Sequence, residues 1–272
     1  MLLIPKQTEA ESDPNLINCF HDANFISDLI DNNFTIITGR KGTGKTALAK
    51  YLNQKKSDYG LDLSEKLSIY ELEDELNKPA ISRTEIILFF IVTRTVQLLL
   101  ENKYFHSKEE EYWKDFLLKN GLVDIKDYKA FIELQNKHKA KIDFKIMSGE
   151  HENEYEKTDI SNASGNLFNA LCKSIPKNKK IFIFIDDLTD HLDKFPKISK
   201  EDFTKEIDII RDVLLRLDKF NNNLFDTERN LTFITCIRDD LWELMQGSNI
   251  NKLKNKSLKL KWKPPCLQKS AA

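Results

Sequence analysis

The stretch FTIITGRKGTGKT, residues Phe34 to Thr46, opens on a β-rich apolar run, breaks on Gly39, and gives way to helix formers from Lys45 to about Lys56. Its order is strand, loop, helix. Three further runs read as strands: Ile181 to Asp186 (IFIFID) after the turn-like Pro176-Lys-Asn-Lys-Lys, Leu231 to Ile237 (LTFITCI) after an Asn- and Asp-rich loop around Asn221 to Asn230, and Leu258 to Trp262 (LKLKW), which alternates like a half-exposed edge strand. Between them, Ile86 to Leu100 and Phe203 to Phe220 repeat apolar residues at helical spacing. Strands alternating with helices predict an α/β fold with a mostly parallel sheet, because parallel neighbours need long crossovers.

The rest of the chain narrows the class by exclusion. At 272 residues it is long enough for a sizeable core, and 42 basic against 43 acidic side chains give a net charge of -1, with no global basic field of the kind that coats nucleic acid. The most apolar run, Ile86 to Val92, is far shorter than the roughly 18 residues that span a bilayer, so no membrane partner is expected. The N-terminus MLLIPKQTEAESD lacks the charged and apolar regions of a secretion signal, so a cytoplasmic location is expected. Cys19, Cys172, Cys236 and Cys266 show no paired spacing and read as reduced core residues. From about Asn102 to Asp159 the chain is rich in Lys and Glu with patchy amphipathicity, and reads as a mostly helical, charged insert whose charge runs, such as Glu109 to Glu111, face solvent.

The chemistry concentrates at Gly39 to Thr46. These eight residues match G-x-x-x-x-G-K-[ST] at every fixed position, between a strand and a helix, and hold three of the chain's eight glycines. A loop of this kind wraps a polyphosphate in backbone N–H groups, needs glycine where a Cβ would block the approach, and sets the anion at a helix N-terminus. The nucleotide contacts are expected from Gly39, Arg40, Lys41, Gly42, Thr43, Gly44, Lys45, Thr46 and Ala47, with the Lys45 ammonium on the β- and γ-phosphates and the Thr46 hydroxyl on Mg²⁺. Such a loop needs an acidic strand end, and IFIFIDD supplies one. Asp186 is the candidate for the metal shell. Asp187, next in the chain and pointing differently, is the candidate to polarise the attacking water. The 141 residues between Lys45 and Asp186 leave room for at least one more strand.

GRKGTGKTAL with a distant apolar run ending in Asp186-Asp-Leu resembles the additional-strand division of P-loop NTPases, in its KAP, STAND and AAA-like branch. The segment Asp186-Asp-Leu-Thr-Asp-His-Leu-Asp is similar to the IDDLD form common there, and Thr235-Cys-Ile-Arg238-Asp-Asp-Leu-Trp242 resembles that branch's sensor strand. The resemblance spans about Phe20 to Trp262. It implies a three-layer α/β/α core over residues 1–262 with the helical insert at about 102–159, binding of ATP with Mg²⁺, and ATP hydrolysis. It further implies a homo-oligomer or an effector protein as partner, as in prokaryotic ATPases of defence or mobile-element loci. Two roles are open to Arg238: sensing the γ-phosphate, or pairing with Asp239, Asp240 or the Asp186 region.

Two departures shape the expected activity. Many relatives carry Glu where this chain has Asp187, one methylene shorter, so slow turnover and a regulatory switch are expected rather than a fast motor. The relatives continue into a lid that closes on adenine, whereas here a short tail, residues 263–272 (KPPCLQKSAA), follows the last strand, so a truncated form without a lid is expected. The competing expectation is a nucleic-acid-dependent remodelling ATPase, supported by the Lys-rich stretch Lys252 to Lys263. An ABC-type reading of Ala163-Ser-Gly-Asn lacks the second Gly and the Gln of that signature, and a small-molecule kinase lacks an Arg-rich lid near the second motif.

Overall fold

The computed structural model describes residues 23–31, 34–69, 83–123, 142–145, 155–158, 160–186, 188, 200–226 and 230–260. In chain order the elements are α1 (Ala23–Asp31), β1 (Ile36–Thr38), α2 (Lys45–Gln54), β2 (Leu63–Ser68), α3 (Arg83–Glu101), α4 (Ser107–Lys119), β3 (Ile142–Lys145), β4 (Tyr155–Thr158), α5 (Ile160–Ser174), β5 (Ile181–Asp186), α6 (Lys200–Asp226), β6 (Leu231–Ile237), α7 (Asp239–Leu244), α8 (Ser248–Lys254) and β7 (Ser257–Lys259). Five strands form one sheet in the order β2-β5-β6-β1-β7, every neighbouring pair parallel. Helices flank it, an arrangement compatible with three α/β/α layers.

Strand periodicity sorts the two faces. Ile181, Ile183 and Ile185 of β5 and Leu231, Phe233 and Ile237 of β6 belong to one buried cluster with α3, α5 and α6. Phe182, Phe184, Ile234, Cys236 and Ile37 point the other way, into a smaller cluster with Phe25, Ile26 and Leu29 of α1 and Leu48 and Leu52 of α2. Both faces being covered explains the nearly unbroken apolar runs of β5 and β6. The apolar run at Ile86 to Val92 forms the N-terminal half of α3, where every residue is buried. Among the described residues no helix is long and apolar enough to cross a membrane.

Several boundaries differ from the sequence expectation. β2 is a strand that pattern alone did not place, because LSEKLS lacks both a clean alternation and strong strand formers; it lies at a sheet edge. α6 runs through the Asn-rich stretch read as loop and ends at Asp226. The cause is tertiary: Asn221 Nδ2 donates to Phe233 O (2.9 Å) and Asn221 Oδ1 accepts from Phe233 N (2.9 Å). β1 pairs with β6 only from Ile36 opposite Thr235 onward, so Asn221 serves backbone groups of β6 that lie below the end of β1. Within 102–159 the described residues hold α4 and an antiparallel β3–β4 pair, not helix alone. α4 is amphipathic: Trp113 is fully buried with Tyr112 and Phe116 beside it, while Glu110 pairs with Lys114 on the outer face. Residues 261 and 262 of the expected last strand, and the tail 263–272, lie outside the described residues.

Candidate functional site at the carboxyl edge

In an all-parallel sheet every strand delivers its C-terminal residue to the same edge. β1 ends at Thr38 and runs into the Gly-rich loop, β5 ends on Asp186, and β6 ends at Ile237 with Arg238 next. β6 lies between β5 and β1. Open α/β sheets gather their ligand-contacting residues at this edge.

The loop between β1 and α2 is shaped by its glycines. Gly42 (φ 81°) and Gly44 (φ 85°) occupy the left-handed region, which costs other residues roughly 1–2 kcal/mol. A Cβ on Gly39 would collide with Thr43 Oγ1 and stand 3.3 Å from Leu260 O. Thr43 closes the turn, its N–H and its hydroxyl both donating to Arg40 O at 3.1 and 2.8 Å. Gly44 caps α2 without a side-chain hydrogen bond, and the N–H groups of the helix's first turn have no acceptor within a helix. Ala47 is buried and offers only its backbone there. Arg40 and Lys41 are exposed.

Lys45 Nζ lies over the loop, donating to Gly39 O (3.0 Å) and Arg40 O (3.2 Å). Gly39 O also accepts from Asp239 N at 3.3 Å, and Gly39 N donates to Ile237 O at 3.2 Å. The base of the loop is thus bonded directly to the tip of β6. One residue away, the Arg238 side chain is turned to Asp240, with Nε to Oδ1 at 3.1 Å and Nη2 to Oδ2 at 2.7 Å. Of the two roles open to Arg238, the structure displays the ion pair, with Asp240 as partner. The Arg238 hydrogen bond, opposed by partial burial, holds the Asp240 carboxyl below its ordinary pKa. Asp239 pairs instead with Lys259 at 3.0 Å.

A side-chain contact joins the two motifs. α2 leaves the loop and packs along β2 and β5 on the face that carries Phe184, and its first turn presents Thr46 to the tip of β5. Thr46 Oγ1 donates to Asp186 Oδ2 at 2.6 Å. Asp186 is 4 % exposed. The same carboxylate oxygen is 3.8 Å from Lys66 Nζ on β2, a residue the sequence reading missed because nothing in LSEKLS marks it. Lys45, Thr46, Asp186 and Arg238 therefore lie along one edge of the sheet, with Thr46 and Asp186 in contact. Asp187 lies outside the described residues.

A hydroxyl and a carboxylate oxygen 2.6 Å apart are hard donors of the type Mg²⁺ takes, so the residues present fit that ion. Among the described residues no cluster of three or more His, Cys, Asp or Glu could hold a metal. Mg²⁺ needs none, since it is bound through one or two protein oxygens, waters and substrate phosphates. A cavity of about 420 Å³ exists elsewhere, at the amino edge, lined by Thr35, Lys180, Phe182, Asn221, Leu231 and Lys256 among others. It includes none of Lys45, Thr46, Asp186 and Arg238.

No family model matches the chain, and no curated protein or solved structure compared with it does either. A functional reading therefore rests on the chain's own residues.

Proposed function

We propose that the carboxyl edge is a nucleoside-triphosphate site and that the chain belongs to the P-loop class of nucleotide-binding α/β proteins. Within that class we read it as an ATPase of the additional-strand, KAP/STAND/AAA-like kind that binds ATP with Mg²⁺, turns it over slowly and acts as a regulatory switch toward a second copy of itself or an effector protein. The observation that carries this reading is the Thr46 to Asp186 hydrogen bond, which joins two motifs 140 residues apart at the mouth of a glycine loop. A chance Gly-rich turn has no reason to place its threonine on the buried acid of a separate strand.

The chain's own groups divide the work. The first-turn N–H groups of α2 and the loop amides bind phosphate oxygens, with the helix dipole in support. Lys45, already above the loop mouth, adds a cation that reaches the phosphates by exchanging two carbonyl contacts for them. Thr46 and Asp186 would hold Mg²⁺, which when bound neutralises phosphate charge and orients the triphosphate. Asp187 is assigned to the attacking water, and its single-methylene side chain is the reason for expecting slow turnover. Arg238 reaches a phosphate only by leaving Asp240, so it serves as a sensor through an exchange of partners.

Of the four described lysines in the basic stretch of the nucleic-acid alternative, Lys252 and Lys254 are exposed and the other two are engaged within the fold. Lys256 is held by Asp218 (2.6 Å) and Lys259 by Asp239 (3.0 Å), so both charges are already balanced.

The direct test is equilibrium titration with a fluorescent ATP analogue in Mg²⁺. Wild-type protein is expected to bind it, and Lys45→Ala to lose at least tenfold in affinity or turnover, about 1.4 kcal/mol, while melting at the wild-type temperature. Equal affinity and turnover in the two proteins would refute the assignment.

A further inference from the structure

Asp186 is a buried carboxylate, and a buried charge is tolerated only when compensated. Thr46 contributes a hydrogen bond but no charge. The opposite charge comes from Lys66, whose approach is built into the sheet. In the β2–β5 register Lys66 stands opposite Phe184 and Ser68 opposite Asp186, so Lys66 starts two residues below the acid, on the same face. Two residues of strand are roughly 6.6 Å, about the reach of an extended lysine stem. The stem therefore runs up the sheet, and the ammonium arrives at the carboxyl edge.

At 3.8 Å the contact is an ion pair without a directional hydrogen bond. Such a pairing is held by charge alone and yields to a stronger cation or to a competing anion. The oxygen concerned, Asp186 Oδ2, is the one that also receives Thr46, and so belongs to the proposed metal shell. A divalent ion held by that oxygen would share it with the ammonium and be repelled by it. Triphosphate oxygens remove the conflict, because they offer Lys66 a second anion while delivering the ion.

We propose that Lys66 is a resident cation that screens Asp186 from free divalent ions, so that the metal enters with the nucleotide and not before it. Lys66 is thus a positioning residue that sets the order of assembly. The inference rests on the proposed function of the site for its meaning, although the pairing it depends on is independent of nucleotide.

The test is Mn²⁺ titration of the full chain followed by electron paramagnetic resonance, first with the metal alone. Lys66→Met, and Lys66→Gln as a second neutral variant in case the first fails to fold, are expected to bind Mn²⁺ at least about tenfold more tightly than wild type. Lys66→Arg should remain near wild type. Adding Asp186→Asn to either neutral variant should abolish the gain, which assigns it to this carboxylate. Unchanged or weakened Mn²⁺ binding in the folded neutral variants overturns the inference, as does a gain that survives Asp186→Asn. A parallel titration with the fluorescent ATP analogue separates the two proposals: wild-type protein that binds the analogue while Mn²⁺ binding ignores Lys66 leaves the nucleotide site standing and only the screening role refuted. Wild-type protein that binds no analogue refutes the nucleotide site, while the metal-alone arm still decides whether Lys66 guards Asp186.

Discussion

The two faces of the sheet are built to different scales. Against α3, α5 and α6 lies a broad cluster containing Phe89, Phe90, Trp113, Phe168 and Phe233, all fully buried. Against α1 and α2 lies a much smaller one, centred on Ile37, Leu48, Leu52 and Phe184. The candidate site belongs to the smaller face: Thr46 is on α2, and Asp186 follows Phe182 and Phe184 in the strand's alternation. The large face supplies most of the burial that stabilises the fold. The small face supplies orientation, because a one-residue shift in β5 would turn Asp186 away from Thr46 and into the α3 side.

If the faces divide labour in this way, the largest effect comes from cutting into the large one. Phe168 stacks on Phe220 with ring centroids 3.7 Å apart and touches Phe233 at 6.3 Å. Phe168→Ala should cost about 3–5 kcal/mol in urea unfolding, while the protein that remains folded binds ATP analogue with wild-type affinity. A variant that unfolds normally but binds poorly would contradict the division.

Asp186→Asn probes the small face and should do the reverse. Asparagine keeps an acceptor for Thr46 and removes the charge, so stability should shift by no more than about 1 kcal/mol while the Mg²⁺-dependent gain in nucleotide affinity falls roughly tenfold. Comparing nucleotide binding with and without Mg²⁺ in both proteins measures this. Loss of metal-free binding to the same extent would remove Asp186 from the metal shell.

The smallest effect concerns the tip of β6. Asp240 has a folded pKa below its unfolded value, so the Arg238 pair stabilises the fold above the ordinary carboxylate range, and that contribution disappears as falling pH protonates Asp240 through its lowered pKa. Because both partners are near the surface, with Asp240 more than half exposed, the effect is small. Melting temperatures measured from neutral pH into the acid range should fall slightly further for wild type than for Arg238→Ala. Parallel curves would mean that the pair stabilises nothing.

The legibility of the sequence followed the same split. β5 and β6 were readable to the residue because strands covered on both faces are apolar throughout, and the loop was readable because its glycines are required by backbone geometry that few other residues adopt. β2 was not, since an edge strand with one side open tolerates Ser, Glu and Lys. α6 outruns its expected end because Asn221 to Asn223 favour loops locally, whereas the bonds of Asn221 to the Phe233 backbone of β6 are absent from any local pattern.

By itself the sequence determined the alternation of strand and helix, the glycine loop between β1 and α2, and the acid at the end of β5, because each is written in neighbouring residues through periodicity or backbone conformation. Tertiary structure alone decided which side chains meet. Thr46 reaches Asp186, Lys66 joins them from β2, and Arg238 turns to Asp240, through strand order, register and helix crossing. Those depend on how apolar faces pair across more than a hundred residues of chain, a global property of packing that no local window of the sequence contains.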